Sequence, residues 1–304
     1  MENLFIIPQL GFGIIASVEN DEIVKYGTVD IPYKSKSVVS NNFRVVSICL
    51  DTKELKIHIL RGKLIKSFSQ YDFRCIAKKG NVIYLGGMQI KDEFRSRELI
   101  SILDLEKPDS FSLQNLKVPI DFNYGKSIDD ILTVDDKLIL VDNIVYPKYL
   151  FEYDISEPSK PIHTKTIELR NNGTYEHIIK GEANKDWLIL FSATVGMYGS
   201  SSYINISGKK SGCLDFQKPA NLYRETTPEG LQEDDKYNFK DICLINDNLF
   251  ILREDGFYFL DLNGTISKSN LIQIETRLED ADKLIKTPCN RILAVNDVDY
   301  ELIN

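Results

Sequence analysis

Short apolar strokes separated by polar turn residues recur along this chain, and they come in groups of three at a nearly constant spacing. The clearest group runs from Phe239 to Ile245, from Asn248 to Leu252 and from Phe257 to Leu262. A second group occupies 128–134, 137–143 and 149–156, and a third 73–79, 81–87 and 98–106. Each stroke is rich in Ile, Leu, Val, Phe and Tyr, side chains that suit a pleated, half-buried surface, so each predicts a strand. Residues between strokes, such as Asp135–Asp136, are turn formers whose side chains bond their own backbone.

With these groups as a ruler, four more units fall into line: 36–70, 175–216, 282–304 and a less regular one at the N-terminus. Seven units in 304 residues give roughly 43 residues each, which is the period of a β-propeller blade. The expected fold is all-β: one domain over 1–304, a single β-propeller of seven four-stranded blades. Six blades is the alternative, with the first segment supplying a closing strand and one irregular blade. An open stack of sheets leaves apolar faces in water, so the ends are expected to meet. The N-terminal strand at 4–9 is expected to close the last blade, and Pro8 within it favours an edge position.

The third strokes repeat an apolar–Asp/Asn–apolar signature at Leu103–Asp104–Leu105, Tyr153–Asp154–Ile155, Ile204–Asn205–Ile206 and Leu260–Asp261–Leu262. Residues 153–161 are similar to an LVIVD-type repeat, and 81–89 with the strand after them resembles a kelch blade. The units as a set resemble repeats of the WD40, kelch and LVIVD-type propellers. The chain departs from those patterns in two places. The Gly86–Gly87 pair is not repeated in other units, and Trp187 is the only tryptophan, so there is no Trp-Asp dipeptide. The resemblance implies a propeller and, among these families, an interaction role.

Antiparallel blades sort their connections by face. The turns joining first to second strokes are tight, at 78–81, 134–137, 246–248 and 288–290. The connections on the other face are long, at 89–97, 142–148, 194–202, 118–127 and 215–238. Long loops on a rigid scaffold are where binding residues concentrate. Aligning the first strokes places Arg74, Asp130, His177, Asp241 and Lys283 together at the mouth of a central channel on that face. Two readings follow: a mixed-charge docking ring, or inter-blade ion pairs that close the structure. Phe94, Tyr146, Tyr198 and Tyr223 fall in the long loops and are candidate interface anchors.

Composition narrows the functional classes. A net charge of −8 argues against a general nucleic-acid binder, which needs a basic footprint, and suits a partner with a basic or neutral surface. No apolar run approaches the length that spans a bilayer. The N-terminus lacks the basic region of a signal peptide and carries Glu2. Five cysteines, odd in number and widely spaced, read as reduced and buried, and the expected compartment is cytoplasmic. His58, His163 and His177 have no metal-ligand spacing among them, so neither a metal nor a cofactor is expected. No GxSxG, P-loop, dinucleotide fingerprint or Asp-box turn occurs. Residues 296–301 resemble a calcium loop but lack its central Gly and read as a turn with solvated carboxylates.

The expected function is therefore non-catalytic: an interaction module that binds a protein partner through its long-loop face. A propeller hydrolase or lactonase with a metal or carboxylate site at the channel mouth is the alternative class. A structural subunit of a larger assembly is the third.

Overall fold

The computed structural model describes residues 4–40, 42–52, 54–59, 64–68, 72–92, 95–106, 113–116, 128–142, 148–169, 178–192, 202–205, 211–213, 239–253, 255–266 and 268–303. Among them the fold is all-β, in seven antiparallel sheets that follow one another along the chain. The first holds β1 (Phe5–Gln9), β2 (Phe12–Glu19) and β3 (Glu22–Val29). The second holds β4 (Ser35–Val39), β5 (Arg44–Cys49), β6 (Leu55–Ile59) and β7 (Leu64–Phe68). The third holds β8 (Asp72–Lys79), β9 (Val82–Asp92), β10 (Arg95–Asp104) and β11 (Gln114–Leu116). In the fourth are β12 (Ile128–Val134), β13 (Lys137–Asp142), β14 (Lys148–Asp154) and β15 (Ile162–Leu169). The fifth comprises β16 (Ile178–Ala183), β17 (Trp187–Ser192), β18 (Ser202–Asn205) and β19 (Ser211–Cys213). In the sixth are β20 (Phe239–Ile245), β21 (Asn248–Arg253), β22 (Gly256–Asp261) and β23 (Ile272–Ile274), and in the seventh β24 (Lys283–Lys286), β25 (Ile292–Val295) and β26 (Tyr300–Ile303).

The hairpins form where the turn residues tolerate a left-handed backbone. Asp135, Asn246 and Gly80 all take positive φ between a first strand and its second. The pairs Val134↔Lys137, Ile245↔Asn248 and Lys79↔Val82 leave two-residue loops. Such loops match the twist of the flanking strands. At the other end of β25, Asn296 Oδ1 accepts the N–H groups of Val298 and Asp299. Residues 296–299 are thus a turn into β26 with Asp297 and Asp299 exposed, as the sequence implies, whereas Glu301 lies within β26 and is not a solvated carboxylate.

Apolar faces of neighbouring sheets meet in discrete clusters. Tyr84 and Ile100 of the third sheet pack with Phe151 and Tyr153 of the fourth, and Trp187 and Ile189 of the fifth with Leu249 and Ile251 of the sixth. The seventh sheet packs on the first through Leu293, Val295, Phe5 and Ile7. Leu10 N–H also donates to Asp297 O across this seam.

The expected pairing of the N-terminal strand with the last sheet does not form. Strand β1 bonds β2 in the register Phe5↔Ala16 and is the first strand of its own sheet. The tight Leu10–Gly11 turn, with Gly11 at φ 83°, folds β2 straight back on it. The described part of the seventh sheet has three strands, not four. Its flank is held by Glu301, which accepts from Thr276 Oγ1 (2.7 Å), Arg277 N (2.7 Å), Leu278 N (2.9 Å) and Arg277 Nε (3.1 Å). Burial works to raise the Glu301 pKa, but these donors outweigh it and hold the carboxyl below the usual range. Its stabilisation is complete above the unfolded pKa and is lost as pH falls through the lowered folded value. Glu301→Gln should therefore be less stable than the parent in urea at pH 7, and the gap should close in acid.

Two details answer other sequence readings. The Gly86–Gly87 pair, read as kelch-like, has a local cause: a Cβ on Gly87 would lie 1.9 Å from Asp72 O, where β9 passes a bulge in β8. Gly87→Ala should cost about 1–3 kcal/mol by overpacking, measured by urea denaturation. Cys49, Cys75 and Cys243 are buried as expected and form no disulfide among the described residues, but Cys289 is exposed because it sits in the turn before β25. Among the described residues, no helix is long and apolar enough to cross a membrane.

Candidate functional site

First strands β1, β4, β8, β12, β16, β20 and β24 neighbour one another in chain order. Four of them carry one extra residue near their start: Arg74 in β8, Asp129 in β12, Ile179 in β16 and Lys240 in β20. A bulge of this kind locally re-aims the side chains that follow it. Immediately after it stand Cys75, Asp130, Lys180 and Asp241, which pair with Gly86, Val141, Phe191 and Leu252. Asp130 and Asp241 therefore hold equivalent positions, as the sequence alignment has them. In β8, however, that position belongs to Cys75, and Arg74 is the bulged residue, with its guanidinium on Asp72 at 3.0 Å. In β16 the position belongs to Lys180. His177, Phe94, Tyr146, Tyr198 and Tyr223 lie outside the described residues.

The two aspartates do the same job. Asp241 Oδ1 accepts its neighbour Ile242 N at 2.8 Å, and Oδ2 accepts Leu284 N of the next sheet at 2.7 Å. Asp130 Oδ1 accepts Ile131 N at 3.0 Å, and Oδ2 accepts Gly181 N of the next sheet at 2.5 Å. Each carboxylate thus satisfies a backbone donor on the following first strand and ties two sheets together. Leu284 answers to Gly181 in this scheme, which places Lys283 level with Lys180.

Lys180 completes the tie at the sixth sheet. Its ammonium contacts Asp241 at 3.0 Å and Glu182 at 3.3 Å, and donates to the carbonyls of Ile242 (2.6 Å) and Leu284 (3.2 Å). Burial alone would lower its pKa, but the Asp241 and Glu182 carboxylates outweigh that and hold it above the usual lysine range. Burial pushes Glu182 the other way, up, partly offset by Lys180. From the second sheet, Lys36 reaches Asp130 at 3.5 Å.

These strand starts enclose a cavity of about 570 Å³ to which all seven sheets contribute. Lys34, Lys36, Lys180, Lys240 and Lys283 line it, against Asp130, Asp241 and Asp282. Five lysines and three aspartates line it, with Glu182 behind them against Lys180, so the lining carries a cationic excess in a protein whose net charge is −8. Between the lysines lie half-buried apolar side chains: Pro8, Leu50, Ile76, Leu132 and Ile285. Tyr33 bridges one side, with its hydroxyl on Asp282 and its ring 3.3 Å from Lys283 Nζ. Lys283 also donates to Tyr33 O at 2.8 Å, and burial holds its pKa below the usual lysine range. At the opposite end of the first strands, the tight turns line a second cavity of about 480 Å³ with Asp135, Asp186 and Asp247 against Lys185 and Lys286. The residues lining the two cavities carry opposite charge excesses.

The sequence alignment missed Lys34, Lys36, Lys180 and Lys240. A signal was present: Lys180 and Glu182 alternate in an otherwise apolar stroke, as do Lys34 and Lys36 beside Val38.

The chain matches no protein-family model and no curated protein. Among solved structures it is similar to a streptogramin B lyase, with a TM-score of 0.56 at 12% identity over 99% of this chain and 94% of that one. It is also similar to virginiamycin B lyase from Staphylococcus aureus (TM-score 0.55, 12% identity, 98% and 93% of the two chains). The fold is propeller-like. At such identity the likeness extends to the fold alone. A third similar structure is the extracellular domain of a putative one component system from B. thetaiotaomicron, with a TM-score of 0.53 at 12% identity over 99% of this chain and 38% of that one.

Proposed function

We propose that the seven sheets are the blades of a closed seven-bladed propeller, and that this chain is a non-catalytic module binding a protein partner across its cationic mouth. The observation that carries the reading is the cavity to which all seven sheets contribute, with its excess of lysines. Its carboxylates are already engaged, Asp130 and Asp241 by backbone donors and Asp282 by the Tyr33 hydroxyl. That favours binding over a hydrolase in which inward carboxylates hold a cation or activate water. The docking surface takes in Arg74, Asp130, Asp241 and Lys283, together with the loops that carry Phe94, Tyr146, His177, Tyr198 and Tyr223. The lysine excess favours an acidic partner surface, the reverse of what the net charge alone implies.

A photo-crosslinking side chain placed at Lys34, on this mouth, should yield discrete adducts in lysate of the native host. The same group at Lys185, on the opposite mouth, should yield none. Equal labelling from both positions, or labelling from Lys185 alone, would move the interface elsewhere.

A further inference from the structure

We infer that the cavity at the cationic mouth is a binding site for a small amphipathic organic anion, a molecule with an apolar body and an oxyanion head. This goes beyond the partner surface proposed above. It needs the same cavity but no partner.

The volume, about 570 Å³, lies within the range of roughly 300–1,000 Å³ that small-molecule sites occupy. The chemistry of its wall is of two kinds. Pro8, Leu50, Ile76, Leu132 and Ile285 come from five different sheets and are each only half-buried, so they present apolar surface to the cavity. An apolar ligand body would cover that surface, and covering it is favourable in proportion to area.

The head-group side is defined by Lys283 and Lys34. Lys283 Nζ lies 2.8 Å from the carbonyl that joins Tyr33 to Lys34, so the two lysines belong to one corner of the mouth. An ammonium has three N–H donors, and Lys283 places one on that carbonyl. Lys34 is exposed; its carbonyl accepts Leu50 N, and its ammonium makes no ion pair or hydrogen bond among the described residues. Asp282, the carboxylate nearest in sequence, accepts the Tyr33 hydroxyl. Asp130 and Asp241 point their oxygens at backbone N–H groups of the next sheet. The carboxylates keep their charge but give oxygens to the protein's own donors, and the corner sets two lysines, Lys34 and Lys283, against the one carboxylate of Asp282 beside apolar surface. A cationic or neutral ligand of the same shape would not match that arrangement. The second cavity, with its acidic excess, serves as an internal contrast.

The test is isothermal titration calorimetry of the whole chain with four probes: decanoate, decyl phosphate, decanol and citrate. Decanoate and decyl phosphate should bind one to one. Decanol, which lacks the charge, and citrate, which lacks the apolar body, should each bind at least about tenfold more weakly. Raising the salt concentration should weaken decanoate and leave decanol unchanged. Lys34→Gln alters an exposed side chain and keeps the fold; it should weaken decanoate several-fold. Lys34→Gln/Lys283→Gln should weaken it about tenfold or more without changing decanol. Equal affinity for decanoate and decanol overturns the oxyanion head, and equal affinity for decanoate and citrate overturns the apolar body. Decanoate binding that survives both variants unchanged, or no saturable binding of either anion, overturns the site itself. None of these outcomes bears on crosslinking of a protein partner, so the two readings fail separately.

Discussion

Replacing Asp241 by alanine is expected to cost about 3–5 kcal/mol, the range for removing one partner of a buried charged pair. Two backbone donors, Ile242 N and Leu284 N, lose their acceptor together. The Lys180 ammonium loses its 3.0 Å contact and keeps only Glu182 as a carboxylate partner. One of the orphaned donors belongs to the neighbouring sheet, so the damage reaches the contact between two sheets rather than staying within one. Asp241→Asn should recover part of the loss, because its amide oxygen can still accept Leu284 N. Combining Asp241→Ala with Lys180→Met should cost less than the two changes separately, since neither leaves the other's charge unpaired. Chemical denaturation with urea reads all three. A cost below about 1 kcal/mol for Asp241→Ala would show that the carboxylate is in water instead of in the tie.

The second large effect is expected at the seam between the ends of the chain. Ile7 is fully buried and packs with Phe5, Leu293 and Val295 where the first sheet meets the seventh. Ile7→Ala should cost about 2–5 kcal/mol, as a buried large-to-small change does when its surroundings cannot collapse. In an open stack the same face would be wet and the change nearly neutral. The experiment thus separates a closed ring from an open one, with the midpoint in urea as the readout. Leu293→Ala, on the other side of the seam, should give a loss of the same order and should combine with Ile7→Ala less than additively.

Much of this architecture was legible because strands and turns speak locally. Strand β12 spans 128–134 and β20 spans Phe239–Ile245, the very strokes that the apolar pattern marks. Asp135, Gly80 and Asn246 hold the positive φ that their residue types suggest. The N-terminal strand was misplaced because its pairing depends on a two-residue turn at Leu10–Gly11, a weaker signal than the demand for closure. The first and seventh sheets meet instead through side-chain packing and a backbone bond from Leu10 to Asp297. The mouth was half legible. Asp130, Asp241 and Lys283 sit level, but Arg74 does not: β8, β12 and β20 share one bulge, and Arg74 is its extra residue, level with Asp129 and Lys240 and one place before Cys75. The sign of the mouth was likewise hidden, since the net charge sums the whole surface, whereas five lysines converge only through folding.

The central claim is that the mouth divides its charges: Asp130 and Asp241, with Lys180, hold sheets together, and exposed lysines such as Lys34 face a ligand or partner. Thermal midpoints of Asp241→Ala and Lys34→Gln, measured side by side with the parent, test it most directly. Exposed charges contribute about 0–1 kcal/mol, and in domains of 150–250 residues each kcal/mol moves the midpoint by about 2–4 °C. The lysine variant should therefore stay within about 4 °C of the parent, while Asp241→Ala should fall by roughly 6 °C or more. Equal falls in the two variants, or a larger fall in the lysine variant, would contradict the division and make Lys34 part of the scaffold.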